Sequence, residues 1–265
     1  MKEYIPRTQD EADYLKKYDP TKYYPTPSVT ADLSIYAYDR KAEKLDLLLI
    51  TRGGYPYKGF RAVPGGFVNY DEPIEDAAAR ELLEETGLKG IDPLLFCVLS
   101  DPKRDPRQRV ITPEFLALAD KDELSPQAGD DAKNTSWFTV TDFTENKERF
   151  GSVLKESYSL SLRYEEETLN ISAKQSTDYS KKQPVRSFSL LNDADLAFDH
   201  AEAIIKSFIS LRKRLMYTDI ICGALSSTFT LKEYKAVLKA AFLSEDIKPN
   251  DNFYVYGESI SVLPR

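Results

Sequence analysis

Residues Gly66–Leu88 read GFVNYDEPIEDAAARELLEETGL, and the reading of the whole chain turns on them. Pro64-Gly65 in front predicts a tight turn, Pro73 can open a helix and Gly87 can close it, with Glu72 or Asp71 as the cap. At about 100° per residue, Glu81, Glu84 and Glu85 share one sector of the helix because they sit at i, i+3 and i+4. A solvated face normally interleaves Lys or Arg at i+4, and here no base interrupts the cluster. Ile74, Ala77 and Ala78 fall in the same sector, which suits a face held close to other backbone. The carboxylates also crowd the last turns, where the helix dipole already disfavours negative charge, so something cationic must compensate. Oxygen ligands with no His or Cys nearby fit a hard divalent ion, Mg²⁺ or Mn²⁺.

With those residues placed, the stretch resembles the signature of the Nudix hydrolases, G-x5-E-x7-R-E-U-x-E-E-x-G-U with U aliphatic. Gly66, Glu72, Arg80, Glu81, Leu82, Glu84, Glu85, Gly87 and Leu88 fill its nine specified positions. The resemblance implies hydrolysis of a nucleoside diphosphate linked to another moiety, by metal-assisted attack of water on a pyrophosphate phosphorus. It implies Glu81, Glu84, Glu85 and the Gly66 carbonyl as metal ligands, with Glu81 as ligand or base. Arg80 would orient the glutamates through salt bridges, and Glu72 would buttress loop and helix. By the same resemblance the best substrate is ADP-ribose, giving AMP and ribose 5-phosphate.

The 265 residues suffice for one large domain or two modest ones, and a formal charge of −7 argues against nucleic-acid binding through bulk charge, although a local basic patch remains open. Cys97 and Cys222 lie far apart in apolar surroundings and read as buried free thiols. No signal-peptide core and no run long enough to cross a bilayer is visible, so the expected compartment is the cytoplasm, with no membrane partner. A single histidine, His200, leaves little room for histidine general-base chemistry.

Residues 1–28 read as an extended N-terminal arm rich in Tyr, Lys and Pro, which either packs on the domain, reaches a partner subunit or is a loosely ordered terminus. ADLSIYAYD and KLDLLLIT predict two strands, the second central in its sheet. The following loop carries Arg52, Lys58 and Arg61, where either phosphate binding or simple solubility accounts for the charges. PLLFCVLS and VITPEFLALA predict further strands around DPKRDPRQR, the most basic run in the chain. That loop resembles a D-P-R-x-R-V loop of Nudix proteins acting on ADP-ribose, which makes Arg107 and Arg109 substrate-binding candidates alongside Arg52 and Arg61. Glu114, Asp130 and Asp131 are acids that could assist the box, and spacing does not choose among them. SWFTVTDF would close the sheet, the alternation in residues 158–173 predicts a hairpin, and VRSFSLL a short strand.

After Asp199 the pattern turns helical. Asp199 with Glu202, and Thr230 with Glu233, have capping-box spacing, and TDIICGAL can form a short helix between the two helices they open. Helices followed by a SISVLP strand are what a winged helix needs. The run is similar to the C-terminal domain of Nudix-related transcriptional regulators, whose expected recognition helix typically carries an N-F-R-R-K-type cluster. Here Asn252 and Phe253 survive, but no Lys or Arg occurs between Lys248 and Arg265. DNA affinity rests largely on phosphate neutralisation, so this loss weakens DNA as a partner. The expected fold is therefore α/β: a Nudix α/β/α sandwich with mixed sheet over residues 29–195, then a small winged-helix-like α+β domain over 196–265. A homodimer is the default assembly. Competing with the hydrolase are a regulator that senses ADP-ribose or a sugar nucleotide, and a C-terminal domain kept only for packing or dimerisation.

Overall fold

The computed structural model describes residues 5–6, 8–19, 26–87, 93–124, 132–225, 228–244, 253–256 and 259–262. In chain order the elements are α1 (Gln9–Lys17), β1 (Ser28–Asp39), β2 (Lys44–Arg52), β3 (Arg61–Ala62), β4 (Gly65–Phe67), α2 (Ile74–Thr86), β5 (Leu94–Leu99) and β6 (Val110–Asp120). They continue as β7 (Ala132–Phe150), β8 (Val153–Tyr164), β9 (Glu167–Asp178), β10 (Val185–Asn192), α3 (His200–Tyr217), β11 (Thr228–Thr230), α4 (Leu231–Phe242), β12 (Phe253–Tyr256) and β13 (Ser259–Val262).

One ten-stranded sheet carries the fold, in the order β10-β9-β8-β7-β2-β1-β6-β5, with β3 beside β2 and β4 beside β1. β1 runs parallel to β6 and antiparallel to β2 and β4, so the sheet is mixed, as expected. Its central strands are apolar on both faces because helices cover both. Ala31, Leu33 and Ile35 of β1, with Phe115, Ala117 and Ala119 of β6, pack with Ala77, Ala78 and Leu82 of α2. The alternate residues Tyr36, Tyr38, Leu116 and Leu118 pack in the cluster that holds Ile204, Phe208, Leu211 and Leu215 of α3 and Tyr234, Val237 and Leu238 of α4. The period of two along each strand thus decides which helix each side chain meets. Burial of each such Leu or Phe contributes about 1.5–3 kcal/mol.

Helix α2 starts after Pro73 and stops at Gly87, whose φ of 72° is the left-handed closure a glycine makes at no steric cost. The expected side-chain cap does not form. Glu72 instead accepts from the backbone N–H of Asn69 at 2.7 Å and holds Arg80, so its carboxylate is turned to these partners. The Asp199–Glu202 capping box is likewise absent, because Asp199 is taken by Arg104, whereas the Thr230–Glu233 box closes as expected.

Three further expectations need correction. The extended arm contains α1, capped by Thr8, with acids in its first turn and lysines in its last. SWFTVTDF does not close the sheet: β7 continues to Phe150 and pairs with β8, so β7–β10 extend the sheet well past its central strands. The segment read as a short helix in TDIICGAL is a single 3₁₀ turn, Ile220–Gly223. Beyond it β11, β13 and β12 form a separate three-stranded sheet with α4 alongside. Asp130, Asp131 and Asn252 lie outside the described residues. Cys97 and Cys222 are free and half-buried. Among the described residues no helix is long and apolar enough to cross a membrane.

Candidate active site

The box folds around one side chain. Arg80 donates from Nη2 and Nε to Glu72 at 2.8 and 3.2 Å, and from Nη1 to Glu81 at 2.7 Å and Glu84 at 3.1 Å. A fifth contact, 3.3 Å to the Phe67 carbonyl, ties the helix to the strand in front of it. A planar fork with five donors can make all five contacts at once, whereas a lysine has only three donors on one atom. These bonds hold the Glu72 carboxyl down at about 2. Burial pushes Glu81 the other way, above the usual carboxylate range, against the pull of Arg80.

Two of the three clustered glutamates turn inward. Glu81 and Glu85 are buried with Ala77, Ala78 and Leu82, while Glu84 stands at the solvent edge. Gly66 makes this packing possible: a Cβ there would fall 2.3 Å from Glu81 Oε1. At Gly65 a Cβ would lie 2.6 Å from the Ala31 carbonyl, so the β4 backbone is pressed against β1. The donors are all oxygen, which matches Mg²⁺ or Mn²⁺ in kind. With Arg80 among them, no three Asp, Glu, His or Cys side chains converge as a metal site among the described residues.

Beside the box lies a cavity lined by Asp32, Arg52, Gly66, Phe67, Glu85, Arg104, Arg107, Phe198 and His200. Of the four arginines expected to bind substrate, Arg52 and Arg107 reach this wall. Arg61 does not: it forms a two-pronged pair with Glu167, bonds Thr51 and Ser136, and packs its guanidinium over Phe138 and Tyr164. Its strand position turns it toward the β8–β9 hairpin. Arg109 also points away and donates to the Ser100 carbonyl at 2.6 Å.

Four residues of the cavity escaped the sequence reading. Arg104 is nearly inaccessible and donates to both oxygens of Asp199 at 2.6 and 2.8 Å, and to Thr112. Asp32, on β1, is pushed by burial to about 7, with Arg104 opposing. His200 accepts the Val63 N–H at Nδ1, 3.1 Å, so its own proton sits on Nε2, facing Asp32 Oδ2 at 3.6 Å. Burial lowers its pKa to about 3, which keeps the ring neutral. Phe198 completes the wall. The only sequence signal for these was the basic composition of the loop holding Arg104; Asp32, Phe198 and His200 are 168 residues apart at their extremes before β1 and α3 meet.

Glu114 sits opposite Asp32 in the parallel β1–β6 register and is fully buried. Neither of its oxygens has a hydrogen-bond partner, and burial together with Asp32 raises its pKa well above the ordinary value. A neutral carboxylic acid is what such a site stabilises.

Comparison with known proteins agrees with this architecture. The NUDIX domain model matches residues 30–159. An ADP-ribose pyrophosphatase of Methanocaldococcus jannaschii is 43% identical over 128 residues, 48% of this chain and 71% of that protein. An ADPR-responsive transcriptional repressor of Acinetobacter baylyi is 27% identical over 231 residues, 86% of this chain and 71% of the repressor. The crystal structure of a MutT/nudix family protein from Enterococcus faecalis superposes with a TM-score of 0.69 at 26% identity, covering 98% of this chain and 100% of the other. The chain belongs to the Nudix family, and its relatives include both ADP-ribose pyrophosphatases and Nudix transcriptional regulators.

Proposed function

We propose that the chain is a metal-dependent pyrophosphohydrolase that cleaves a nucleoside diphosphate linked to another moiety, with ADP-ribose as substrate and AMP and ribose 5-phosphate as products. The observation that carries this is the complete box, with Arg80 bonded to Glu72, Glu81 and Glu84, beside a cavity walled by Arg52 and Arg107. The likeness to an ADP-ribose pyrophosphatase supports the choice of substrate.

Glu81, Glu84, Glu85 and the Gly66 carbonyl would hold Mg²⁺ or Mn²⁺, which when bound supplies charge neutralisation at the phosphates and lowers the pKa of water. Arg80 keeps the carboxylates oriented and offsets their repulsion. Arg52 and Arg107 meet the phosphate oxygens of the diphosphate. Glu81 serves either as one of these ligands or as the base that accepts a proton from water. Product release from ADP-ribose, NAD, diadenosine polyphosphates and nucleotide sugars, with Mg²⁺ or Mn²⁺, tests the reading. Turnover of ADP-ribose that vanishes in Glu84→Gln and Glu85→Gln is the expected result, and intact substrate throughout the panel would end it.

A second reading is favoured by one observation: the repressor's similarity extends over 86% of the chain and so into the C-terminal helices. In it α3, α4 and the β11–β13 sheet serve as a winged-helix-like domain, residues 196–265, that binds DNA as a homodimer and responds to ADP-ribose. The lack of bases between Lys248 and Arg265 counts against it. Gel retardation with DNA from the protein's own gene neighbourhood, with and without ADP-ribose, distinguishes a regulator from a domain kept for packing. Retardation relieved by ADP-ribose would establish the regulator; unshifted fragments would leave the packing role.

A further inference from the structure

The segment joining β10 to α3 is held in an unfavourable backbone conformation. Ala194, Asp195 and Phe198 have φ of 50°, 56° and 51°, none of them glycine. Phenylalanine is among the residues least suited to the left-handed region, and such strain persists only where surrounding contacts enforce it. The contacts are present: Ala197 N–H donates to the Arg61 carbonyl at 2.9 Å, Asp199 is gripped by Arg104, and His200 accepts from Val63. Together they place the Phe198 ring in the cavity wall.

Two guanidiniums lie over that ring. The Arg52 guanidinium carbon is 4.9 Å from the ring centroid and that of Arg107 is 5.8 Å. Each is steered from its other side: Arg52 Nε donates to the Pro56 carbonyl at 3.1 Å, and Arg107 makes a two-pronged pair with the buried Asp105 at 2.8 and 3.1 Å. The Tyr57 ring, 4.7 Å away at 57°, fixes the Phe198 ring in turn. Two like charges crowded at one wall repel, and the negative face of an aromatic ring attracts both. An anion that takes hydrogen bonds from both forks completes the balance.

We propose that Phe198 is a positioning residue for diphosphate binding: its ring holds Arg52 and Arg107 in register at the cavity wall, so that the segment leading into α3 sets the affinity for the ligand's phosphates. The inference rests on the reading that this cavity takes a nucleoside diphosphate. It does not require that the diphosphate be cleaved.

The test is calorimetric binding of ADP and of ADP-ribose to the full chain, with steady-state turnover of ADP-ribose alongside. Phe198→Leu removes the ring and keeps the bulk, and binding of both ligands should weaken about 5- to 10-fold. Phe198→Tyr keeps the ring and should stay within about twofold of wild type. Phe198→Gly relieves the backbone while deleting the ring, so it should bind as weakly as Phe198→Leu although the fold is intact; it decides the matter if Phe198→Leu melts without cooperativity. In turnover the ring's loss should raise KM with kcat within about twofold, since the interaction is made in ground and transition states alike. In an Arg52→Ala/Arg107→Ala background Phe198→Leu should have little further effect. Phe198→Leu or Phe198→Gly binding like wild type, or Phe198→Tyr as weak as Phe198→Leu, overturns the proposal. Wild type that binds both ligands but leaves ADP-ribose intact sinks ADP-ribose as the hydrolase's substrate and leaves this test standing; wild type that binds neither overturns the proposal outright.

Discussion

Gly66 and Glu81 show how closely single atoms are fitted in the box. A methyl group at Gly66 would lie 2.3 Å from Glu81 Oε1, and the side chain that must give way is the mobile end of a glutamate. Gly66→Ala should therefore leave a cooperative melt within a few degrees of wild type while lowering kcat at least about 100-fold, because a displaced carboxylate misplaces the reacting groups. Equal losses of activity and stability would show that the contact is only packing. Arg80→Lys retains the charge but not the fork that reaches Glu72, Glu81 and Glu84, and a fall in kcat of about 10- to 100-fold is expected with little change in melting temperature. Glu114 offers a pH test. Its folded pKa is raised, so the protonated form is favoured in the fold, and its contribution is fully present below the unfolded value near 4.5 and is lost as pH rises above it. Glu114→Gln has no proton to lose. It should raise the melting temperature by about 3–6 °C at pH 8 and change it little at pH 4, and a shift of equal size at both would contradict a buried neutral acid.

Among the elements, α2 was the most legible, because the positions of Pro73, the small residues and Gly87 specify where it starts, what it packs against and where it stops. Its neighbourhood was not legible in the same way. Glu72 looked like a cap by spacing and instead serves Arg80, since a charge-assisted pair outweighs a single bond to a helix terminus. Asp199 repeats the lesson at α3, where the acid three residues before Glu202 pairs with Arg104, 95 positions earlier. Removing that acid would leave the Arg104 charge buried without its partner. Asp199→Ala is accordingly expected to cost about 3–5 kcal/mol in urea unfolding, and a loss under about 1 kcal/mol would mean that Thr112 and water satisfy the guanidinium. Arg61 and Arg109 stay off this cavity wall for a related reason. Net charge in a loop is visible in a sequence, whereas the direction in which each guanidinium points depends on the strand register behind it.

For the whole molecule, the helices after residue 195 share a core with the sheet before it. Phe208, Leu211 and Leu215 pack in the same cluster as Tyr36, Leu116 and Phe138, and the Tyr36 hydroxyl meets Ser207 at 2.9 Å. A chain ended after Asn192 would expose that sheet face, and such a large apolar patch is not tolerated in solution. It should lack a cooperative thermal transition and bind an apolar dye, while a folded, active fragment of 1–192 would show that the face is dispensable. Composition and pattern by themselves determined the class of this protein: nine spaced residues define the box, alternation defines the central strands, and acid clustered without base demands a cation. Only the tertiary structure decided which arginines face the cavity, that Asp32 and His200 meet, and that Arg52 and Arg107 both lie over the Phe198 ring. Helix and strand periods are local and can be read along the chain, whereas a cavity wall is assembled from residues that become neighbours only when β1, β6 and α3 pack together.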